Sequence, residues 1–439
     1  MKKEALAQVK KAIKKWPAYR RFIESKGVVP SRVEDISDLP VIDKRFISQA
    51  INTVPLFKIK SILPSSGSTG ADFSFGLFGD GELKKTAMKI EEFLRSRFNT
   101  KSKKTLILNM LPGAISLRFA DAAVANIGIR TDTAIHAIKT LGSSFEQIIL
   151  IGEPLFIKDL IETGTERSIL WRYMSVSAIV GGEWISEGYR NYLEGIIGSR
   201  RVYSSMGMAE LGLHCFYETD ETIMLRNLLF EDSRLLKMFF GGMRFCPMIF
   251  AYDEDNAYVE TIKEPLEEFE SILLTATDRS RVLPLIRYKG GDKGSRLSRA
   301  EINNGLRAMG YGALLGADGP PLLAHFGRGK NISGIYAEEV KDIIYSAAEV
   351  ASKTTGNFAL SGNKGGVELA IQLKEGIFPD DRIVETFCEA FGRLPAYIKL
   401  YPFSRFPCPL NFERKVCYVN EGNNSAERRR EEIKLSAAV

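Results

Sequence analysis

The chain has 439 residues, 45% apolar and 26% charged, with 38 Gly and 17 Pro; this is globular composition, long enough for two or three domains, and it excludes disorder, collagen and coiled coil as overall classes. The net charge of +6 is concentrated, because residues 1–26 carry nine Lys/Arg against two Glu and the rest of the chain sums to −1. The distributed basic surface that phosphate-backbone binding needs is missing, so no nucleic-acid partner is expected.

Five cysteines (Cys215, Cys246, Cys388, Cys408, Cys417) are odd in number and never spaced CxxC, which points to free thiols in a reducing compartment. The N-terminus lacks the apolar block and cleavage site of a signal peptide, and no run approaches the roughly 18 apolar residues of a membrane span. A cytoplasmic protein is expected.

In chain order, Ala5, Leu6, Val9, Ala12, Ile13 and Trp16 recur at helical spacing among six lysines. The pattern predicts an amphipathic helix that ends at Pro17 and docks its apolar stripe on the body; the lysines would also permit attachment to a membrane surface. Residues 27–60 read as irregular, and 62–76 form the densest cluster of small and hydroxyl residues. A helix is predicted at about 81–98, strands at 105–113, 147–152 and 175–182, and helices at 154–163 and 187–197; this alternation indicates a parallel or mixed sheet covered on both faces. Beyond 200, strands at 271–277 and 282–289 with short connections suggest an antiparallel or barrel-like subdomain. Between about 331 and 420, helix, strand, helix and strand suit a small α+β domain. The charged stretch near 426–434 reads as a solvated helix or frayed tail.

No GxxxxGK[ST] loop, GxGxxG fingerprint or GxSxG elbow occurs. The three histidines, His136, His214 and His325, are too scattered for a three-histidine metal centre. The strongest local signal is Ser65, Ser66, Gly67, Ser68, Thr69 and Gly70. Its glycines permit close backbone approach and its hydroxyls offer donors, so it suits a polyphosphate cradle; alone, it equally suits a flexible connector.

Four further segments fall in a particular order: Gly181-Gly182-Glu183-Trp184, Met206-Gly207-Met208-Ala209-Glu210, Arg287-Tyr288-Lys289-Gly290-Gly291-Asp292 and Gly327-Arg328. With the early Asp38-Leu39-Pro40-Val41-Ile42-Asp43-Lys44, this set resembles the adenylate-forming superfamily of acyl-CoA synthetases, adenylation domains and luciferases, most closely its phenylacetate-CoA ligase branch. The resemblance runs from about residue 28 to 418. It implies an α/β fold: a large N-terminal domain (1–326) of helix-covered mixed sheets plus a β-rich subdomain, and a small mobile α+β C-terminal domain (327–439). It also implies ATP-dependent activation of a small carboxylic acid as an acyl-adenylate, then transfer to coenzyme A or a carrier-protein thiol. Residues 65–70 would hold the phosphates, Gly182, Glu183 and Met206 would line the adenine site, and Asp292 would accept from the ribose hydroxyls. Glu210 would hold Mg²⁺, Arg328 would approach the nucleotide at the domain junction, and Gly329 and Lys330 would form the hinge.

The chain departs from the family pattern at several points. Met206 stands where an aromatic is usual and Ala209 replaces a threonine. The family's C-terminal lysine has two candidate alignments here, one placing Phe412 at that position and the other Lys415, and the first would cripple adenylation. A degenerate nucleotide-binding protein, or acyl transfer to a protein or other non-CoA acceptor, therefore stays open beside the ligase. Some relatives carry a Cys/His metal cluster near His214, Cys215 and Cys246; buried thiols are the expectation here. Phe119, Trp184 and Met206 are expected to wall the acid pocket, which would suit an aromatic or medium-chain acid.

Overall fold

The computed structural model describes residues 2–64, 75–113, 115–278, 281–283, 285–363, 366–408 and 410–420. The hydroxyl-rich segment 65–70 and the charged stretch 426–434 lie outside the described residues.

The protein is built on one eleven-stranded sheet with a switch in the middle. Thr105–Met110, Ala123–Asn126, Gln147–Gly152 and Val176–Val180 pair in parallel, with fully buried stretches such as Gln147–Gly152 at the centre. Near-continuous apolar strands of this kind need cover on both faces, and the intervening helices supply it. The strand Val202–Met208 continues the parallel half through Ser204, which pairs with Val180. From Ser205 onward it pairs antiparallel with Gly212–Tyr217. The antiparallel half then runs through Met248–Tyr252, Leu322–His325, Tyr288–Leu297, Ser271–Ala276 and Ala257–Ile262. The β-rich part is thus hydrogen-bonded to the parallel half through Val202–Met208. A second sheet of four strands, Thr354–Asn363, Gly366–Leu373, Ala396–Tyr401 and Val419–Asn420, with the helix Asp381–Phe391, forms the C-terminal part.

The first helix, Lys2–Lys15, buries Ala5, Val9, Ala12 and Ile13 on the body, as its apolar stripe predicts. Pro17 ends it and, with a φ already suited to a first helical turn, opens a second helix, Pro17–Ser25. Three expectations need correction. Residues 27–60, read as irregular, contain the helix Lys44–Ala50, capped by Asp43. The run at 282–289 is not a strand: Leu283, Leu285 and Ile286 are buried but irregular, and strand pairing starts at Tyr288. The predicted helix after Gly334 is two, Ala337–Ser346 and Ala348–Lys353.

Beneath the switch lies a neutral, fully buried set of two arginines and two glutamates. Arg190 bonds Glu187 (2.9 Å) and Glu218 (2.6 Å), and Arg226 pairs with Glu187 (2.7 Å). Glu218 also accepts from the Ser204 backbone N–H (2.6 Å), Arg190 donates to the Val202 carbonyl, and Arg226 donates to Pro247 O (2.9 Å). The set therefore ties the switch strand to the helix Glu187–Ile197 and to Glu218 at the end of the antiparallel return strand. Removing one partner strands a buried charge, at a cost of about 3–5 kcal/mol. Glu218→Gln is expected to lower stability in urea titration by about 3 kcal/mol, whereas Glu24→Gln, in the exposed Arg20–Glu24 pair, costs about 0.5 kcal/mol or less. Equal effects would contradict this assignment.

Candidate active site

A cavity of about 520 Å³ opens where the parallel strands end. In open α/β sheets, ligands collect outside the carboxyl ends of strands at such a switch. Gly182, Glu183, Met206, Glu210, Asp292, Arg328 and Lys415, widely spaced in sequence, all line it. Segment 65–70 is not described, but the strands on either side of it, Ser61–Pro64 and Phe75–Phe78, form an antiparallel hairpin, and Leu63 and Pro64 line the cavity.

Asp292 is 8% exposed on the strand Tyr288–Leu297. Its Oδ1 meets Arg328 Nε at 3.1 Å and lies 3.5 Å from His325 Nε2. Burial alone would raise its pKa, but Arg328, His325 and Lys415 outweigh it and hold the carboxyl well below the usual carboxylate range. Arg328 Nη1 also donates to Gly290 O (2.8 Å). That approach explains the glycine at 291: its φ is +95°, and a Cβ there would sit 2.8 Å from Arg328 Nη1. Gly327 is tighter still, since a Cβ would fall 1.8 Å from Glu338 Oε1.

Glu210 is 4% exposed beside Tyr288, whose phenol is raised in pKa by burial and then by that carboxylate. Facing them is Lys44, which sequence reasoning quoted in its motif but assigned no role. Burial and the neighbouring Arg328 and Lys415 lower its pKa, against Glu210 and Asp292, which raise it. A β-bridge delivers it: Ile42 pairs with Tyr288, Ile42 N–H donates to Arg287 O (3.2 Å), and Lys289 N–H donates to Ile42 O (2.8 Å). Arg287 reaches back to Ser37 O (3.0 Å). Two motifs distant in sequence are thereby one structural unit.

The alternatives for the C-terminal lysine separate here. Phe412 packs edge-on against Phe156, with ring centroids 5.2 Å apart, and does not line the cavity. Lys415 does line it, and its charge acts on Asp292, Glu153, Glu183 and Lys44. Its segment is anchored before it by Asn357 Nδ2 on Cys408 O (3.0 Å) and after it by Tyr418, whose hydroxyl donates to Glu183 (2.7 Å).

Glu183 also accepts from Lys341 Nζ (3.0 Å), so its carboxylate is engaged by the C-terminal part of the chain. Glu153, at the carboxyl end of the strand Gln147–Gly152, is a residue that sequence reasoning missed. Burial first and then the Glu183 charge push its pKa up to about 8, with Lys415 and Lys341 opposing. Burial would raise Glu183 too, but Lys341, Tyr418 and Lys415 bring it below its ordinary value, so the proton of this pair resides on Glu153.

The apolar side of the cavity is formed by Ile90, Phe93, Leu111, Leu117, Ile151 and Ile179, together with the expected Trp184 and Met206. Phe119 is not among the lining residues; it is buried behind them, in the core cluster that includes the lining residues Leu94, Ile151 and Ile179. Cys215 and Cys246 are buried thiols that donate to carbonyls, of Gly212 and Arg226 respectively, and His214 is bonded to Ser205. Among the described residues no group of three or more His, Cys, Asp or Glu is arranged to hold a metal, and no helix is long and apolar enough to cross a membrane.

Because Glu153 binds its proton more tightly when folded, it contributes stability below about pH 4.5 that is lost as pH rises toward 8. Glu153→Gln is expected to remove this loss, on the order of 2 kcal/mol between pH 5 and 8.5 after allowing for cavity water. Parallel wild-type and variant curves of melting temperature against pH would contradict it.

No family model matches the chain, and no curated protein is similar enough to be reported. Solved structures are similar. A 2-hydroxyisobutyryl-CoA ligase in the postadenylation state, in complex with R3-HIB-AMP, superimposes with TM-score 0.68 at 15% identity, covering 99% of this chain and 92% of that one. The same ligase with 2-HIB-AMP and CoA in the thioesterification state gives 0.55 at 16% identity over the same shares. The protein has the fold of the adenylate-forming enzymes.

Proposed function

We propose that the protein is a ligase of the phenylacetate-CoA ligase type, activating a carboxylic acid with ATP as an acyl-adenylate and passing the acyl group to a thiol, with coenzyme A as the second substrate. The observation that carries this is the convergence of Asp292, Glu210, Lys415 and the base of the 61–78 hairpin on one cavity. In this assignment the ribose hydroxyls donate to Asp292, which Arg328 keeps ionised and which offers only acceptors. His325, buried at the same wall with Nε2 3.5 Å from Asp292 Oδ1, completes that subsite. Gly182, Glu183 and Met206 contribute the adenine side, where a thioether packs on the purine.

The residues at 65–70, which follow Pro64 in the chain, hold the β- and γ-phosphates. The substrate carboxylate attacks the α-phosphorus and pyrophosphate departs. Lys415, with Lys44 opposite, stabilises the charge that develops between them. Glu210 fits a Mg²⁺ site, because nucleotide-bound Mg²⁺ usually takes one or two protein carboxylates and completes its shell with phosphates and water. The ion would offset charge on the triphosphate. In the second half-reaction the thiol attacks the acyl carbon, AMP leaves, and the thiol proton is released.

Rotation at Gly329 and Lys330 would carry Lys415 away for that step. It would have to break the contacts now fastening the C-terminal part: Lys341 and Tyr418 on Glu183, and Lys158 Nζ on Thr354 O (2.7 Å).

Acid-dependent exchange of labelled pyrophosphate into ATP tests the assignment. Lys415→Ala is expected to lower exchange by about 100-fold or more, and Phe412→Ala by only a few fold. The reverse order, or no exchange across a broad acid panel, would overturn it. Asp292→Asn is expected to weaken AMP binding in calorimetry by about tenfold or more; unchanged affinity would remove Asp292 from the nucleotide.

A further inference from the structure

One polar pair interrupts the apolar side of the cavity. His214 lies on the strand Gly212–Tyr217 where its pairing with Val202–Met208 slips register between Met206 and Met208. Its φ is +55°, in the left-handed region that a β-carbon disfavours. Bulges with such backbone re-aim side chains, and here the ring lines the cavity. It is held in place by Phe93 (centroids 4.5 Å) and by stacking on Tyr217 (5.1 Å, 16°).

His214 Nδ1 is taken by Ser205 Oγ at 2.9 Å, which leaves Nε2 without a hydrogen-bond partner among the described residues. Burial, then Lys89, lower the imidazole's pKa to about 4, and none of Glu210, Asp292, Arg328 or Lys415 acts on it. Near neutral pH the ring is therefore an uncharged hydrogen-bonding group. The Ser205 hydroxyl, also 3.5 Å from Phe216 O, can donate to Nδ1 or accept from it, so Nε2 either carries the proton or accepts one. A hydroxyl, both donor and acceptor, satisfies either tautomer; a hydrocarbon leaves Nε2 unpaired, and a charged group would enter an apolar wall.

We propose that the acid this site takes is an apolar one bearing an uncharged hydroxyl on its body, beyond the carboxylate, with His214 Nε2 as its hydrogen-bond partner and Ser205 as the positioning residue. This rests on the cavity being the acid site of the proposed ligase, and the test separates the two claims.

Matched acids with and without one hydroxyl (phenylacetate and 4-hydroxyphenylacetate, octanoate and 8-hydroxyoctanoate) are compared in two ways. One is calorimetric affinity in the presence of AMP; the other is acid-dependent pyrophosphate release. In the wild type, one hydroxylated acid is expected to exceed its partner by about tenfold or more. His214→Asn, tolerant of the left-handed backbone but lacking Nε2, should bring that ratio to within about twofold, and Ser205→Ala should reduce it partly. A wild-type preference for the plain acids, failure of all four to bind, or a ratio unchanged in both variants would overturn the proposal. A binding preference that follows His214 without pyrophosphate release from any acid would support it while contradicting the ligase assignment.

Discussion

A single strand sets the geometry of this protein. Val202–Met208 has parallel neighbours up to Ser204 and antiparallel ones from Ser205, so the two halves of the main sheet must diverge at that point. Divergence leaves the carboxyl ends of the parallel strands uncovered, and the crevice there is the cavity. The buried Glu187, Arg190, Glu218 and Arg226 hold the strand at this switch. Ser205 and Met206 lie on it, His214 on its return strand and Glu210 in the turn that joins the two, so adenine, metal and acid subsites in the proposed assignment share one support.

The charged half of the cavity follows from proximity without neutralisation. Lys44, Arg328 and Lys415 sit among Glu153, Glu183, Glu210 and Asp292, and the shifts in proton affinity of Lys44, Glu153, Glu183 and Asp292 combine burial with the charges and hydrogen bonds of their neighbours. Asp292 stays ionised because a guanidinium touches it. Glu153 keeps its proton because it is buried and because Glu183, held ionised by Lys341 and Tyr418, stands beside it. One carboxylate held ionised and one carboxyl held protonated thus coexist within a single cavity, each tuned by burial and its neighbours.

How much of this was legible beforehand differs by element. The parallel strands and their helices were readable because buried apolar runs and helical spacing are local signals: Gln147–Gly152 and Glu187–Ile197 match their predicted spans. The run 282–289 was misread because burial and strand pairing leave the same apolar signature, and here the apolar residues serve burial alone. Motif order located Asp292, Glu210 and Arg328 in one cavity because glycines such as Gly291 mark close backbone approach. Glu153 and His325 carry no motif. Their position comes from strand ends brought side by side, which only long-range pairing reveals. Lys44 was visible as part of a motif, but its place in the cavity depends on the Ile42–Tyr288 bridge. Lys415 and Phe412 could not be separated by spacing because short slips are equivalent in sequence, whereas in space only one of the two side chains reaches the cavity.

The central claim is that Asp292 and Lys415 hold opposite ends of one nucleotide. A crystal structure with a non-reactive acyl-adenylate analogue, an acyl-sulfamoyl adenosine, tests it most directly. The account predicts both ribose hydroxyls on Asp292 and the sulfamoyl group beside Lys415, with the acyl chain on the apolar wall. An analogue ordered elsewhere, or one whose ribose lies away from Asp292 within this cavity, would contradict it.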